Sequence, residues 1–200
     1  MSAATPTLRD LSGLDSSPAA LSESALILID CQQTYREGVM QLSGVEPALL
    51  EAAHVLSRAR ETGRPVIHIQ HDAGPGSPYD IRGPIGRIAA PVTPVPGEAV
   101  ITKHYPNSFV QTVLDEELKR SGIRSLVLVG FMTHMCVNST ARGAFNLGYQ
   151  VTVVASATAT RDLPGPGGAL VPAAALQTAS LAMMGDLFAA IAPSSADLPD

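Results

Sequence analysis

Three residues of this 200-residue chain stand directly after apolar runs and carry groups that can do chemistry together. Asp30 closes ALILID (25–30), Lys103 follows AVIT (99–102), and Cys136 lies six residues past Gly130, which ends SLVLVG (125–130). A carboxylate within reach of a thiol can take its proton, an ammonium steadies negative charge on both, and a thiolate attacks carbonyl carbon. The set therefore suits nucleophilic acyl transfer. Taken singly, each residue has an ordinary explanation: an Asp caps a turn, a Lys is solvated, a Cys beside Met and Val packs. Their common placement after strand-like runs singles them out. A helix beginning near Cys136 and an ammonium close by predict a thiol shifted toward the thiolate. The other cysteine, Cys31, alternates away from Asp30 and reads as packing.

Gathering three residues so far apart in sequence requires a sheet whose strands all end on one edge. Five apolar runs meet that need: 25–30, 66–70, 99–102, 125–130 and 151–156. They read as strands buried on both faces of a parallel sheet. Helical spacing between them predicts helices over 46–62, over 109–121 with Asn107 or Ser108 as cap, over 136–147, and over about 171–190. The fold class is thus α/β, a three-layer doubly wound sheet with helices on both faces, in which ligands bind beyond the carboxyl ends of the strands. Residues 71–97 carry six Pro and five Gly, and a connection that long is expected to serve as a lid or wall. The organisation reads as an arm (1–24), one domain (25–191) and a tail (192–200). Arm and tail are expected to be flexible or to order against a neighbouring subunit.

Composition narrows the function classes. With 46% apolar and 16% charged residues the chain can bury one sizeable core. A formal charge of −5 with 13 scattered basic residues gives no nucleic-acid face and no polybasic membrane patch. The first 24 residues lack the basic start and continuous apolar stretch of an export signal, so a cytoplasmic location and unpaired thiols are expected. A small molecule is the expected partner. So much apolar surface on a chain this short also predicts a homo-oligomer, a dimer or larger.

Three segments carry a resemblance to a known family: DCQQTY (30–35), VITKHYPNSF (100–109), and GFMTHMCVNSTARGAFNLGY (130–149) followed by VTVV. Over about residues 25–188 the chain resembles the isochorismatase-like cysteine hydrolases, the superfamily that includes nicotinamidases and N-carbamoylsarcosine amidohydrolase. The resemblance implies a triad of Asp30, Lys103 and Cys136 on a six-stranded, mainly parallel sheet. It also implies a cis peptide between Phe131 and Met132, an oxyanion hole made by the Met132 and Cys136 amides, and hydrolysis of a C–N bond through a thioester on Cys136. No metal and no cofactor are expected. His68 lies inside a strand and His71 and Asp72 are adjacent, so the metal ligands of nicotinamidases have no evident counterpart. Isochorismatases proper cleave a vinyl ether with the Asp and typically lack the Cys, so Cys136 favours an amide. Gln33, Thr34 and Ser156 depart from common family residues. Tyr35, His71, Tyr105, Phe109 and His134 flank the triad in sequence and are candidates for substrate contact. A carbamoyl compound, a lactam, a ureido acid and a simple carboxamide all remain open as substrates. The competing functions are a vinyl-ether hydrolase, a non-catalytic small-molecule binder, and a redox protein pairing Cys31 with Cys136.

Overall fold

The computed structural model describes residues 5–200. Six strands form one sheet: β1 (Ser24–Ile29), β2 (Val66–His71), β3 (Ala99–Lys103), β4 (Ser125–Phe131), β5 (Gln150–Ala159) and, after the short ribbon β6 (Leu163–Pro164) and β7 (Leu170–Val171), β8 (Ala190–Ala192). Their order is β3-β2-β1-β4-β5-β8, and every neighbouring pair is parallel. The chain therefore winds outward from β1 through β2 to β3, then crosses back to β4 on the other side of β1. That reversal puts the switch point, where an open sheet leaves a crevice, at the ends of β1 and β4.

The apolar runs are strands because both faces of the sheet are covered. All of β1 is buried, with Ala25, Ile27 and Ile29 on one face and Leu26 and Leu28 on the other. Helix α2 (Val45–Glu61) lays Leu49, Ala52, Val55 and Leu56 on the Leu26/Leu28 face. Helices α3 (Leu114–Arg120), α4 (Asn138–Asn146) and α5 (Ala173–Leu187), with Leu114, Leu118, Ala141, Ala144 and Met184, cover the opposite face. This is the three-layer sheet predicted from the periodicity.

Two helices differ from the sequence reading. The helix expected over 109–121 begins only at Leu114, because Asn107 Oδ1 accepts from the Phe109 amide at 3.0 Å and Gln111 adopts φ 56°. Local side-chain bonds of this kind offer the backbone an alternative to helix. The helix expected to start at Cys136 instead starts at Thr133, as a π-helical turn through Val137 that runs into α4.

The four-residue helix α1 (Leu8–Leu11) packs along α5, where Arg9 Nη1 donates to Leu187 O at 2.9 Å and the Leu8 amide to Asp186 Oδ1 at 2.9 Å. At the other terminus, Arg58 Nη2 donates to Leu198 O at 2.7 Å and Glu51 Oε1 accepts from the Ser195 amide at 2.7 Å. The arm from residue 5 onward and the tail thus both have defined contacts within the chain, while residues 1–4 of the arm lie outside the described residues.

Gly130 ties the sheet to the site. It sits in β4 at φ 111°, and a Cβ there would stand 2.1 Å from Ile29 O. Only glycine allows this approach of β4 to β1. Gly130→Ala is expected to lose more than about 2 kcal/mol, a fall in Tm of more than about 4 °C. An unchanged melting temperature by calorimetry would show that the strands separate freely here.

Candidate active site

Each of the three residues leaves the sheet at its carboxyl edge. Asp30 follows β1 in a left-handed conformation, φ 49°, uncommon for a non-glycine residue and tolerated by Asp. Lys103 is the last residue of β3, and Cys136 lies in the π-helical turn after β4. Asp30 and Lys103 are fully buried and Cys136 is 5% exposed. Only a small group can reach the sulfur.

The ammonium of Lys103 organises the site. Its Nζ lies 2.7 Å from Asp30 Oδ2, 3.4 Å from Cys136 Sγ and 3.1 Å from His71 Nδ1. An ammonium has three N–H donors and no acceptor, so these three partners use all of them. The third partner requires His71 to be neutral, with Nδ1 unprotonated. Burial, and then the Lys103 charge, depress His71 to about 4, in keeping with that requirement.

Burial raises the Asp30 carboxyl above its ordinary range, against the opposing pull of Lys103. Burial and then the Asp30 charge push the Cys136 thiol up to about 12, against Lys103. This corrects the expectation of a thiolate-shifted cysteine. Desolvation of the anion and a carboxylate neighbour outweigh one ammonium. The thiol keeps its proton at rest, so that proton has to move as the sulfur attacks.

The other candidates separate into two groups. Tyr35 is buried, edge-on to Phe131 at 5.7 Å and to Tyr79 at 5.8 Å between ring centroids, and the charges of Asp30 and Cys136 both act on its hydroxyl. His71 meets Tyr79 edge-on at 5.0 Å. His134 holds Thr160 Oγ1 through Nδ1 at 2.5 Å. By contrast Tyr105 is 44% exposed. Phe109 stacks on Tyr149 at 5.8 Å, just before the amino end of β5, where it packs in the core. Being close in sequence to Lys103 did not bring it to the triad, because the turn at 104–113 carries it back along the sheet.

Two site-builders escaped the sequence reading. Tyr79, in the long connection, packs against both Tyr35 and His71. Gln32 is fully buried: its Nε2 donates to His71 O at 3.0 Å and Gly86 O at 2.8 Å, while Oε1 accepts from the His71 amide at 2.9 Å. With the Ala89 amide donating to Cys31 O at 2.8 Å, these bonds make residues 71–97 a fixed wall of the site. Ser156 lies elsewhere, donating to Glu51 Oε1 at 3.0 Å.

Cys31 packs on the α2 face of the sheet, whereas Cys136 packs on the face of α3 to α5. The sheet stands between them, and both thiols are free. Among the described residues no three His, Cys, Asp or Glu side chains converge as a metal-binding group. His71 is engaged by Lys103, and Asp72 by Arg82 at 3.0 Å. No helix among the described residues is long and apolar enough to cross a membrane.

Comparison with known proteins supports the same fold. The isochorismatase domain model matches residues 24–195. The secreted isochorismatase effector Isc1 of Verticillium dahliae is 36% identical over 94% of this chain and 97% of its own. The ureidoacrylate amidohydrolase RutB of Stutzerimonas stutzeri is 31% identical over 68% of this chain and 70% of its own. The crystal structure of an isochorismatase from Pseudomonas putida superposes with a TM-score of 0.94 at 41% identity, covering 98% of this chain and all of that one.

Proposed function

This chain belongs to the isochorismatase family of hydrolases, and we propose that it opens a C–N bond of a small amide, carbamoyl compound or lactam through a thioester on Cys136. The observation that carries the reading is one ammonium in contact with both Asp30 and Cys136, all three buried at the carboxyl edge of the sheet. The name of the Stutzerimonas relative, an amidohydrolase, points the same way.

Asp30 takes the thiol proton as Cys136 Sγ attacks the carbonyl carbon. The Met132 and Cys136 amides face the oxyanion; Cys136 lies in the first turn of its helix, where backbone N–H groups lack upstream acceptors. Asp30 then returns the proton to the departing nitrogen as the C–N bond breaks. A water, deprotonated by the same carboxylate, attacks the thioester and frees the acid, and the proton goes back to sulfur. Lys103 holds its position throughout, and His71, as its third acceptor, positions it. Each step uses side chains and backbone of this chain alone.

The test is ammonia release from a panel of small amides, together with mass spectrometry of acid-quenched protein. An acyl group on Cys136 is expected for any amide that is turned over. Turnover with no adduct under any quench would remove the thioester from the mechanism.

The working unit in this reading is a homo-oligomer. Helix α5 is apolar nearly all round yet leaves Met183 48% exposed, and α1 beside it leaves Leu8 48% and Leu11 70% exposed. A helix without a polar face is ordinarily covered, and a second copy would cover this one. Light scattering is expected to give at least twice the 20.7 kDa chain mass; a monomer at micromolar concentration would refute it. The two free thiols suit the reducing cytoplasm assigned to the chain; recovery of the native protein outside the cell would overturn that assignment, and the Verticillium relative is named as secreted.

A further inference from the structure

Lys103 and Cys136 meet across two intervening strands. Lys103 ends β3 and Cys136 follows β4, with β2 and β1 between them in the sheet. Strand pairing fixes Lys103 against β2, where it stands opposite His71. Cys136 is outside the sheet ladder, in the π-helical turn Thr133–Val137, an element rare in proteins and frequent at functional sites. A further contact must therefore set how far this turn and α4 stand from the chain that leaves β3.

Two hydroxyl side chains make that contact. Ser108, five residues after Lys103, and Thr140, four after Cys136, are both fully buried. The Ser108 amide donates to Thr140 Oγ1 at 3.1 Å, and the two hydroxyl oxygens lie 2.9 Å apart and share a second bond. Thr112 Oγ1 donates to Ser108 O and closes the turn behind it. Three residues beyond Thr140, on the same face of α4, Gly143 leaves the space that Asn107 fills: a Cβ there would stand 2.4 Å from Asn107 Nδ2. Thr and Gly are both poor helix formers, so a nine-residue helix carrying the two together needs a reason outside itself. The clasp with residues 107–108 is that reason.

We propose that Ser108 and Thr140 are positioning residues, whose clasp holds the ammonium of Lys103 against the sulfur of Cys136. Their part in turnover rests on the hydrolytic reading above; their hold on the 3.4 Å contact between Lys103 and Cys136 does not. Thr140→Val keeps the branched shape and removes the acceptor, leaving the Ser108 amide buried without a partner. The turn then parts from α4, and the ammonium moves off the sulfur.

The test reads the thiol directly, as the rate at which iodoacetamide labels Cys136 at pH 8, with Cys31, on the far face of the sheet, as the control. The thiolate is the species that reacts, and a close ammonium favours it, so Thr140→Val is expected to slow labelling of Cys136 ~10-fold and leave Cys31 unchanged. A merely structural loosening would act the other way, exposing both thiols and speeding both. Thr140→Ser, which keeps the hydroxyl, is expected to label at close to the parental rate. Gly143→Ala favours the helix while its methyl group pushes on Asn107, so it should slow labelling too, and it decides the matter if Thr140→Val does not fold. Unchanged or faster labelling of Cys136 in Thr140→Val and Gly143→Ala, or no recovery in Thr140→Ser, would overturn the proposal. On an amide that the parent turns over, the slow-labelling variants should lose kcat ~10- to 100-fold with KM within about 3-fold of the parent. Parental kcat in Thr140→Val would overturn the clasp as well. Slower labelling in these variants, with no amide hydrolysed by the parent, would sink the hydrolysis and leave the clasp standing.

Discussion

Cys136→Ala is expected to lose amide hydrolysis by about 10⁴-fold or more, because the variant has no atom with which to form the acyl intermediate. The loss should fall on kcat and leave the fold in place. Cys136 packs beside Val137 and Ala141 in the core under α4, and replacing one sulfur there should lower stability by only about 1–2 kcal/mol. The same variant decides between amide and vinyl-ether chemistry, a choice that matters because the Verticillium and Pseudomonas relatives carry the name isochorismatase. Cleavage of a vinyl ether needs a proton from Asp30 and no thiol. Cys136→Ala would then keep most of its rate on a vinyl ether, and a parent active only there would refute the thioester reading. The pH profile adds a second handle. The Asp30 carboxyl titrates above its ordinary range and the Cys136 thiol at about 12. The rate on an amide should therefore fall as pH drops through the raised Asp30 pKa, and hold level well into alkali.

The sheet was legible because its strands are buried on both faces, which writes each of them as a continuous apolar run; all five such runs are strands. The sixth strand, Ala190–Ala192, was not visible from periodicity. Three residues carry no period, and the apolar character of α5 extends into them without a break. The triad was legible for a related reason: a polar residue directly after such a run has to emerge at the carboxyl edge. Phe109 and Tyr79 mark where this logic stops. Phe109 is near Lys103 in sequence, but an Asx-type bond at Asn107 and a left-handed Gln111 turn the chain away. Tyr79 is remote in sequence and reaches the site because Gln32 pins the loop that carries it. Thr160, which holds His134, is similar: its place follows from the irregular register of β5 against β4, where Leu128 faces Val153 and Gly130 already faces Thr158. No local pattern announces that bulge. The state of the thiol was misread because sequence shows which charges are near but not how much water is gone.

Lys103→Met is expected to lower stability by about 3–5 kcal/mol at pH 8, the effect of leaving one member of a buried pair behind. Lys103 and Asp30 are both wholly buried, 2.7 Å apart, and among the described residues the carboxylate has no other cation. The loss should also depend on pH, with a sign fixed by the direction of the Asp30 shift. Burial raises the Asp30 pKa in the folded protein, and removing Lys103 takes away the influence that lowers it. A carboxyl whose folded pKa lies above its unfolded value contributes stability that is present in acid and lost as pH rises through the folded value. Lys103→Met should therefore approach the parent as the pH is lowered and fall away from it as the pH rises. Adding Asp30→Asn should remove that pH dependence and restore most of the stability, since replacing both members of a buried pair by neutral groups is often close to neutral. Asn is the apt replacement because it tolerates the left-handed backbone at position 30. The double variant should stay inactive, having neither base nor ammonium. Denaturant melts of the three variants at pH 5 and pH 8 read all of this at once. If Lys103→Met were equally stable at both pH values, the two buried charges would not be coupled, and the pair could not hold the proton balance on which the proposed attack by Cys136 depends.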